Sequence, residues 1–362
     1  RPASSAAPEN ARKTVGQVWS RDTSFHNGSI IVSGARLTTH LANYGHELES
    51  DMTPVFLVTG AAGFIGSHSV EWLLRHGWRV VGVDNLRTGR LDNLADARSS
   101  PNFTLVIADA GDETAMRPLF QQHRFTGMLH LAALVSVPES FREPELNYRL
   151  NLAAADTLAR LCLEFECKRL VFASSAAVYG ADAALPNRES ALPQPLSPYA
   201  AAKLAAEVML LGYAASYGLE AVCLRYFNVY GPRQDPSSPY SGVLSIFTDR
   251  FQRGLPVTVY GDGEQTRDFI SVRDVAEYNG QALTRQDVVV GRYNVCTGHA
   301  ISLKQVLAIY RELFPNAPPT EFASGRIGDI RHSLGDPALL REMLQFSAQT
   351  EFAQGLRELN AG

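Results

Sequence analysis

The chain has 362 residues, of which 45% are hydrophobic and 19% charged, so it can bury a large core in one large domain or in two intimately joined domains. Thirty-three lysines and arginines stand against 37 aspartates and glutamates, without a dense basic block, which excludes the electrostatic footprint of a protein that binds nucleic acid or an anionic membrane. No apolar run approaches the roughly 18 residues that span a bilayer, and the sequence therefore predicts a soluble protein.

The cysteines and histidines carry no pattern of a metal site or a disulfide framework. Cys162, Cys167, Cys223 and Cys296 form no CxxC pair and no zinc-binding spacing, and no two of the nine histidines lie at ligand spacing. Such thiols are typical of a reduced cytoplasmic protein in which they are buried and inert. The sequence accordingly predicts no bound metal.

Residues 1–51 differ in character from the rest of the chain. They begin with the small, polar, proline-containing run RPASSAAP, which is typical of disorder. Their lack of a continuous apolar core disfavours a secretory signal, and their five acidic residues disfavour a transit peptide. We expect a disordered or non-native extension that ends just before Met52.

The first strong structural pattern is the run VFLVTGAAGFIGSH at residues 55–68. Apolar residues followed by glycines three apart, and then by a further apolar pattern, predict a buried strand that turns sharply into a helix. In such a turn Gly60 permits the tight bend, Gly63 lets the backbone approach a pyrophosphate, and Gly66 lets the helix pack near the strand. A glycine triplet alone also arises by chance in ordinary turns.

The next predicted strand removes most of that ambiguity. Residues 79–84 (RVVGVD) form a second apolar run that ends in Asp84, eighteen residues after Gly66. A dinucleotide-binding fold places there the carboxylate that bonds the adenosine ribose hydroxyls. Because Asp84 would repel a 2′-phosphate, the sequence favours NAD over NADP as the cofactor.

Beyond Met52 the predicted strands and helices alternate regularly. Further strands are predicted at 103–109, 127–133, 168–174 and 220–226, with helices near 112–123, 145–166 and 198–217. This order indicates right-handed βαβ units in a doubly wound parallel sheet, an α/β Rossmann fold. Past Asn228 loops rich in glycine, proline and serine predict a smaller α/β substrate lobe over the carboxyl ends of the strands. We expect an NAD-binding domain at 52–227 and about 271–290, and a substrate lobe at 228–270 and 291–362.

The segment SPYAAAK at residues 197–203 is the first that predicts chemistry. With Ser197 placed to cap a helix, Tyr199 and Lys203 lie at i and i+4 on one face. The ordinary pKa of a phenol is about 10, and a neighbouring ammonium stabilises the phenolate that general-base catalysis needs. In the alternative interpretation, Tyr199 packs and Lys203 snorkels on an ordinary helix. Ser175 ends a predicted strand at the same sheet edge, where it either begins a loop or donates a hydrogen bond to a reacting oxygen.

Together these motifs resemble the extended short-chain dehydrogenases/reductases and, within them, the NAD-dependent nucleotide-sugar epimerases, close to the UDP-glucose 4-epimerases. The resemblance runs from about Thr53 to the C-terminus. It rests on TGAAGFIG at 59–66, DN at 84–85, HLAA at 130–133, SSAAVYG at 174–180, YxxxK at 199–203, RYFN at 225–228, RD at 267–268 and GDIRHS at 328–333. These motifs are more specific for the fold and the cofactor than for the sugar.

The resemblance implies roles for individual residues, many of which are otherwise ordinary strand-end, helix or surface polar groups. It implies that the catalytic residues are Ser175, Tyr199 and Lys203. It implies contacts to NAD from Gly60, Gly63, Phe64, Ile65, Gly66, Asp84, Asn85, Asp109, Ala110, Leu131, Ala132, Ala133, Asn151, Tyr199, Lys203 and Tyr226. It implies contacts to the substrate from Ser175, Asn228, Gln234, Arg267, Arg326, Asp329 and Ser333. Val135 stands where relatives often have a lysine that contacts the cofactor, and we expect its absence to weaken NAD retention.

Two alanines favour one reaction among those of the family. Dehydratase relatives place an Asp-Glu pair after the active-site Ser or Thr, because eliminating water requires an additional acid and base, whereas Ala176 and Ala177 stand here. The glutamate of decarboxylating relatives is also missing from this stretch. The resemblance thus implies 4-epimerisation: Tyr199 removes the proton of the sugar 4-hydroxyl, Ser175 bonds the same oxygen, and the C4 hydride leaves and returns to the other face.

The sugar and the reaction class stay partly open at this point. Gln234 resembles a segment of epimerases that accept 2-acetamido sugars, and Ser333 falls where a tyrosine narrows the sugar pocket of some relatives. We expect activity on UDP-glucose and UDP-galactose with tolerance for UDP-GlcNAc and UDP-GalNAc, and UDP-glucuronate is a third candidate. Two further interpretations are a nucleotide-sugar reductase and a non-catalytic NAD-binding regulator, and the intact set of Ser175, Tyr199 and Lys203 argues against the regulator.

The helices predicted at about 145–166 and 198–217 are rich in alanine and leucine. In the family the corresponding pair forms a four-helix dimer interface, so the resemblance implies a homodimer. The same apolar surface could equally pack inside one subunit.

Overall fold

The computed structural model describes residues 53–181, 184–235, 242–324 and 330–361. The expected extension at 1–51 and two predicted substrate-binding residues, Arg326 and Asp329, lie outside these ranges. The strands are β1 (Val55–Thr59), β2 (Arg79–Asp84), β3 (Phe103–Ile107), β4 (Phe125–His130), β5 (Arg169–Ser175), β6 (Glu220–Tyr226), β7 (Asn228–Tyr230), β8 (Thr258–Tyr260), β9 (Thr266–Ser271), β10 (Gly291–Val295), β11 (Ala300–Ser302) and β12 (Glu321–Ala323). The α-helices are α1 (Phe64–Arg75), α2 (Glu113–Gln122), α3 (Val137–Arg142), α4 (Pro144–Tyr148), α5 (Ala154–Glu164), α6 (Pro198–Tyr217), α7 (Val243–Gln252), α8 (Val272–Thr284), α9 (Leu303–Leu313), α10 (Ala338–Leu344) and α11 (Phe352–Ala361). None of the helices in the described residues has both the length and the apolar character that crossing a bilayer requires.

Seven parallel strands form the central sheet, in the order β10-β6-β5-β4-β1-β2-β3. The chain runs outward from β1 through β2 and β3 and then returns to the other side of β1 with β4, so the strand order reverses between β1 and β4. Ligands bind at such a switch point, outside the carboxyl ends of the strands. Alternate side chains cover the two faces of the sheet, with Phe56 and Val171 in one apolar cluster and Leu57 and Phe172 in the other. The predicted doubly wound α/β fold is confirmed.

Residues 291–295 lie elsewhere than the sequence predicts. The sequence predicts that the substrate lobe resumes at residue 291. In the structure β10 is instead an edge strand of the central sheet, with Tyr293 opposite Leu224 of β6. Buried Tyr293 and Val295 extend the apolar layer of the sheet, and a run as short as GRYNV does not reveal this partner by its periodicity.

A smaller group of elements has a core of its own. Strands β7, β9 and β11 form a three-stranded sheet, and β8 pairs with β12. Helices α7 and α9 meet through stacked rings, with the centroids of Phe251 and Tyr310 4.8 Å apart, in a cluster separate from those on the central sheet. The division of the chain into cofactor-binding and substrate-binding parts stays a proposal, which this separate core supports.

The helix predicted at 145–166 is divided into three parts. α4 ends at Tyr148, Arg149–Ala153 form a π-helical turn, and α5 begins at Ala154. Such turns are frequent at functional sites. In contrast, α6 and β6 have the bounds that the sequence predicts.

Candidate active site

A cleft of about 780 Å³ opens at the carboxyl ends of the central strands. Its lining includes the glycine turn, the loops after β2, β3 and β4, the end of β5, the first turns of α6 and the segment after β6. Most of the predicted site residues lie there together: Gly60, Gly63, Phe64, Ile65, Gly66, Asp84, Asn85, Asp109, Ala110, Leu131, Ala132, Ala133, Ser175, Tyr199, Lys203, Tyr226, Asn228 and Gln234.

The glycine turn presents bare backbone to this cleft. Gly60 has φ +70°, and a Cβ on it would lie 2.7 Å from the nitrogen of Ala132. A Cβ on Gly66 would lie 2.0 Å from the carbonyl oxygen of Gly60, so only glycine lets α1 start this close to β1. Gly63 supplies no side-chain cap to α1, and residues 63–66 line the cleft, so the uncapped N–H groups at this helix start form a site for an anion. The turn therefore fits the pyrophosphate of a dinucleotide.

Asp84 is buried at the end of β2. One carboxylate oxygen accepts a hydrogen bond from the Ala62 nitrogen at 2.9 Å, and the other from the Leu86 nitrogen at 2.8 Å. A Cβ on Gly89 would lie 2.6 Å from the carboxylate, so glycine at this position leaves room for it. Each oxygen keeps a second lone pair, and Asp84 lines the cleft. This arrangement fits recognition of the ribose hydroxyls of an adenosine.

The three predicted catalytic residues meet at the β5 end of the cleft. Ser197 caps α6 as predicted, with its hydroxyl accepting from the Ala200 nitrogen at 3.1 Å. Tyr199 and Ser175 both line this end of the cleft, the proximity of the Ser175 hydroxyl acts to lower the pKa of the Tyr199 phenol, and Nζ of Lys203 donates to the carbonyl oxygen of Ala173 at 2.9 Å. The i and i+4 spacing therefore places the phenol and the amine on the face that covers the end of β5.

Burial disfavours the charged forms of Tyr199 and Lys203, the phenolate and the ammonium. Burial raises the pKa of Tyr199, and the Ser175 hydroxyl opposes that rise. Burial also lowers the pKa of Lys203 to about 7, while the carboxylate of Glu207 opposes that fall. A phenolate at Tyr199 consequently depends on nearby positive charge, and the ammonium state of Lys203 in turn depends on Glu207.

Two side chains that the sequence analysis missed anchor the start of α6. The Ser140 hydroxyl accepts a hydrogen bond from the Tyr199 nitrogen at 3.1 Å, and the Asn147 amide donates to the carbonyl oxygen of Pro198 at 3.0 Å. Both are buried, on α3 and α4. They fix the backbone that carries Tyr199. Their sequence separation of more than 50 residues from α6 leaves no local pattern that could have indicated the contact.

Two predicted cofactor residues have their polar groups occupied by protein. Asn151, in the π-helical turn, lies behind the described lining of the cleft and bonds both the nitrogen and the carbonyl oxygen of Leu134, at 3.1 and 2.9 Å. It therefore shapes the loop after β4. Tyr226 lines the cleft, but its hydroxyl donates to Asn279 at 2.6 Å, and Asn279 donates in turn to Ser69 of α1 at 3.1 Å. Tyr226 thus presents its ring.

The predicted substrate residues are divided between two places. Asn228 and Gln234 line the cleft. Arg267 and Ser333 lie together at β9, outside the lining that the described residues form: the Ser333 nitrogen donates to the Thr266 carbonyl at 3.1 Å, and Arg267 donates to the same carbonyl at 2.8 Å. The neighbouring Arg326 and Asp329 lie outside the described residues.

Residues 231–235 form a loop that connects β7 to the cofactor side of the cleft. The sequence predicted a role only for Gln234 in this loop. His68 of α1 lies 3.1 Å from the carbonyl oxygen of Pro232, and Arg233 donates to Glu71 of α1 at 2.5 Å. Arg233 also lines the cleft and has φ +69°. We call residues 231–235 the bridging loop.

The chain matches known proteins over most of its length. The model of the NAD dependent epimerase/dehydratase family matches residues 56–296. UDP-glucose 4-epimerase from Mycolicibacterium smegmatis is 37% identical over 304 residues, which cover 83% of this chain and 95% of that protein.

Solved structures agree with that match. The chain is similar to the complex of Thermus thermophilus UDP-glucose 4-epimerase with NAD, with 39% identity and a TM-score of 0.77 over 85% of this chain and 98% of that one. It is similar to UDP-N-acetylglucosamine 4-epimerase from Methanobrevibacter ruminantium in complex with UDP-N-acetylmuramic acid, with 36% identity and a TM-score of 0.81 over 85% of this chain and 97% of that one. The resemblance that the motifs predicted is confirmed: this chain belongs to the NAD dependent epimerase/dehydratase family.

Proposed function

We propose that this protein is an NAD-dependent UDP-sugar 4-epimerase that interconverts UDP-glucose and UDP-galactose and tolerates their 2-acetamido counterparts. The observation that carries the proposal is the meeting of Ser175, Tyr199 and Lys203 in one cleft with the glycine turn and Asp84. A dinucleotide and a sugar hydroxyl can therefore reach the same catalytic group.

NAD is the cofactor, and when bound it supplies the acceptor and the donor of a hydride. The helix start at Gly63–Gly66 would hold its pyrophosphate, and Asp84 would hold its adenosine ribose. Asp109 and Ala110 line the cleft beyond β3, and Leu131, Ala132 and Ala133 line it beyond β4, where small side chains suit a flat ligand.

The proton chemistry belongs to three side chains. Tyr199 takes the proton of the sugar 4-hydroxyl as the C4 hydride leaves, and Ser175 donates a hydrogen bond to the same oxygen. The Lys203 ammonium stabilises the phenolate and orders the cofactor ribose. After the 4-keto sugar turns about its diphosphate, Tyr199 returns the proton as the hydride reaches the opposite face of C4. No net oxidation occurs, and the configuration at C4 is inverted.

The residues after Ser175 favour epimerisation over elimination of water. Ser175 is followed by a short turn, Ala176–Tyr179, whose first two side chains are methyl groups. Removal of water from the sugar would need a further acid and base at these positions, which alanine cannot supply. The site is equipped for hydride and proton transfer at one carbon.

The substrate side of the cleft supports a sugar nucleotide. Nε2 of Gln234 donates to the Val229 carbonyl at 3.4 Å, while its buried Oε1 has no hydrogen-bond partner among the described residues. This oxygen can accept from a sugar hydroxyl or an acetamido N–H. We assign Arg267 and Arg326 to the diphosphate, because guanidinium forks bind phosphate oxygens bidentately, and Asp329 to the nucleoside ribose.

We also propose that this enzyme forms a homodimer in which α6 of one protomer packs against its partner. The helix is 20 residues long, and its two charged side chains, Lys203 and Glu207, are both buried. Its exposed residues are uncharged: Ala201, Val208, Gly212, Ala215, Ser216 and Tyr217. A long helix whose outer face carries no charge is suited to a covering partner, so Val208→Arg should convert a dimer to a monomer in light scattering.

We place the enzyme in the cytoplasm. All four of its cysteines are free and buried. Free thiols in a chain of this size suit a reducing compartment.

Conversion of UDP-galactose without added cofactor tests the proposed function. We expect the purified protein, with its bound NAD, to form UDP-glucose in a reaction followed by NMR, and Tyr199→Phe to abolish the conversion. Tyr217→Phe is the matched control, because Tyr217 is exposed at the far end of the same helix. Stoichiometric consumption of added NAD(P)H would instead support the reductase. Conversion of UDP-glucuronate alone would replace UDP-glucose and UDP-galactose as the proposed substrates. NAD binding without turnover of any UDP-sugar would support the regulator.

A further inference from the structure

A buried carboxylate lies one helical turn beyond Lys203. Glu207 and Arg225 are fully buried and paired, with Nε and Nη2 of the arginine 2.9 and 2.6 Å from the two carboxylate oxygens. The same carboxylate accepts a hydrogen bond from the hydroxyl of Ser174, the residue before Ser175. Glu207 therefore joins the helix that carries Tyr199 to the strand end that carries Ser175.

The pairing of the strands makes this connection specific. In the register of β5 and β6, Ser174 lies opposite Arg225, and Ser175 lies opposite Tyr226. Arg225 also stacks over the ring of Tyr179, with its guanidinium carbon 4.8 Å from the ring centroid. One carboxylate thus fixes β5, β6 and the turn after Ser175 relative to α6.

A contribution to the stability of the folded protein does not account for this buried ion pair. Removing two charges from water carries a large free-energy cost, and replacing a buried pair by apolar side chains of similar volume is often neutral or stabilising. Here the pair lies beside the catalytic residues, and Glu207 raises the pKa of Lys203 against the effect of burial.

We propose that Glu207 is a positioning residue of the epimerase site: its carboxylate bonds Ser174 of β5 and Arg225 of β6, and it thereby holds the strand end that carries Ser175 against the helix that carries Tyr199 and Lys203. This proposal rests on the proposed function for its kinetic consequence, whereas the effect of the same carboxylate on Lys203, one turn earlier on α6, can be measured without a substrate.

The charged and titratable groups around Lys203 determine the sign of the effect. On α6 these are Glu207 and the phenol of Tyr199, and β4 contributes His130. Burial lowers the pKa of His130 to about 3, so it is neutral at physiological pH. Glu207 is the group that favours the ammonium, and removing its charge should lower the pKa of Lys203.

Lysine NMR tests this part directly, because the chain contains four lysines, Lys13, Lys168, Lys203 and Lys304. In the NAD-loaded enzyme labelled with [13Cε]lysine, the Lys203 signal is assigned by its loss in Lys203→Met. We expect Glu207→Gln to move the titration midpoint of that signal to lower pH by about one unit, and Glu207→Asp to restore most of the shift. An unchanged midpoint in folded Glu207→Gln would overturn the electrostatic role.

A second ion pair on the same two strands supplies the matched control. Glu220 bonds Arg169 at 2.7 Å, and the two residues lie opposite each other at the start of β5 and β6. Arg169 precedes Ser174 by five residues on β5, which at about 3.3 Å per residue places this pair about 16 Å from Ser174. We expect Glu220→Gln to lower the melting temperature without moving the Lys203 midpoint or the pH profile of kcat.

Kinetics test the positioning part. We expect Glu207→Gln to lower kcat about 10-fold or more, with KM within about 3-fold of the parent value and with the alkaline limb of the kcat profile at lower pH. Ser174→Ala removes the connection and keeps the charge, so it should lower kcat and leave that limb in place. It also tests the connection if Glu207→Gln fails to fold.

The outcomes separate this proposal from the function on which it rests. If the Glu207 and Ser174 variants have the same kcat and the same pH profile of kcat as Glu220→Gln, Glu207 is merely structural and the proposal is overturned. A parent enzyme that converts no UDP-sugar would overturn the proposed function, while the Lys203 midpoints would still decide the electrostatic role of Glu207.

Discussion

Lys203 donates a hydrogen bond from Nζ to the carbonyl oxygen of Ala173, 2.9 Å away. Ala173 stands two residues before Ser175 on β5, so this bond fixes the amine beside the strand end where Tyr199 and Ser175 meet. An ammonium group has three donors, so two of them remain for the contacts to the cofactor and the phenolate that we propose.

Lys203→Met should remove both functions of this amine. We expect kcat to fall by about 10² to 10⁴, the usual contribution of acid–base machinery, and the purified protein to retain less NAD. Lys304→Met is the control, since Lys304 is half-exposed in a surface pair with Glu264. Measured turnover and bound NAD equal to those of the control would contradict the assigned role.

The bridging loop should slow the release of NAD. Arg233 joins Glu71 of α1 at the border of the cleft, and charged hydrogen bonds contribute about 1.5–3 kcal/mol. We expect Arg233→Gln to speed NAD dissociation about 10-fold or more, measured by dilution into an NAD trap. Arg253→Gln, which breaks an exposed pair with Asp249, should leave the rate unchanged. Equal rates in the two variants would contradict this role.

His130 should make the protein sensitive to acid. The pKa of its buried ring is lowered to about 3, whereas the unfolded chain takes up this proton near pH 6.5. Between these values the unfolded state binds more protons, so the free energy of unfolding falls as pH falls, by up to about 1.4 kcal/mol per unit. Denaturant titrations of the parent and His130→Gln should therefore diverge below pH 6.5. Parallel curves would show that the ring is protonated in the folded state.

Ser333 should control which sugars are accepted. We expect Ser333→Tyr to abolish activity on UDP-GalNAc selectively and to leave activity on UDP-galactose largely intact, because a bulky ring would fill the space of the acetamido group. Parallel assays of kcat/KM on the two sugars measure the change. Equal losses on both would contradict the predicted position of Ser333 in the sugar pocket.

Local patterns in the sequence predicted much of the fold and the centre of the site. The glycine turn depends on residues a few positions apart, and α6 extends from Pro198 to Tyr217 as its cap and composition indicate. Six strands of the central sheet, β1 to β6, follow because each carries its own apolar run, whereas the short edge strand β10 does not. The cleft residues converge because parallel strands present their carboxyl ends at one edge.

The parts that the sequence could not supply depend on contacts between distant segments. Nothing near Asn151 shows that its amide bonds Leu134, and nothing near Ser140 shows that it meets the Tyr199 nitrogen. Glu207 has the appearance of an ordinary helix carboxylate until the fold places Arg225 against it. A periodic pattern identifies which residues are buried, and it does not say which partner a buried polar group will find.

The fate of the hydrogen at C4 tests the central claim most directly. In UDP-[4-²H]galactose incubated with the protein, without added cofactor, the account predicts UDP-glucose that keeps its deuterium at C4, because the hydride leaves and returns within one closed cleft. It also predicts a primary isotope effect when hydride transfer limits turnover. Product with hydrogen from solvent at C4 would contradict hydride transfer through the bound cofactor, and so would the absence of product from the NAD-loaded enzyme with any UDP-sugar.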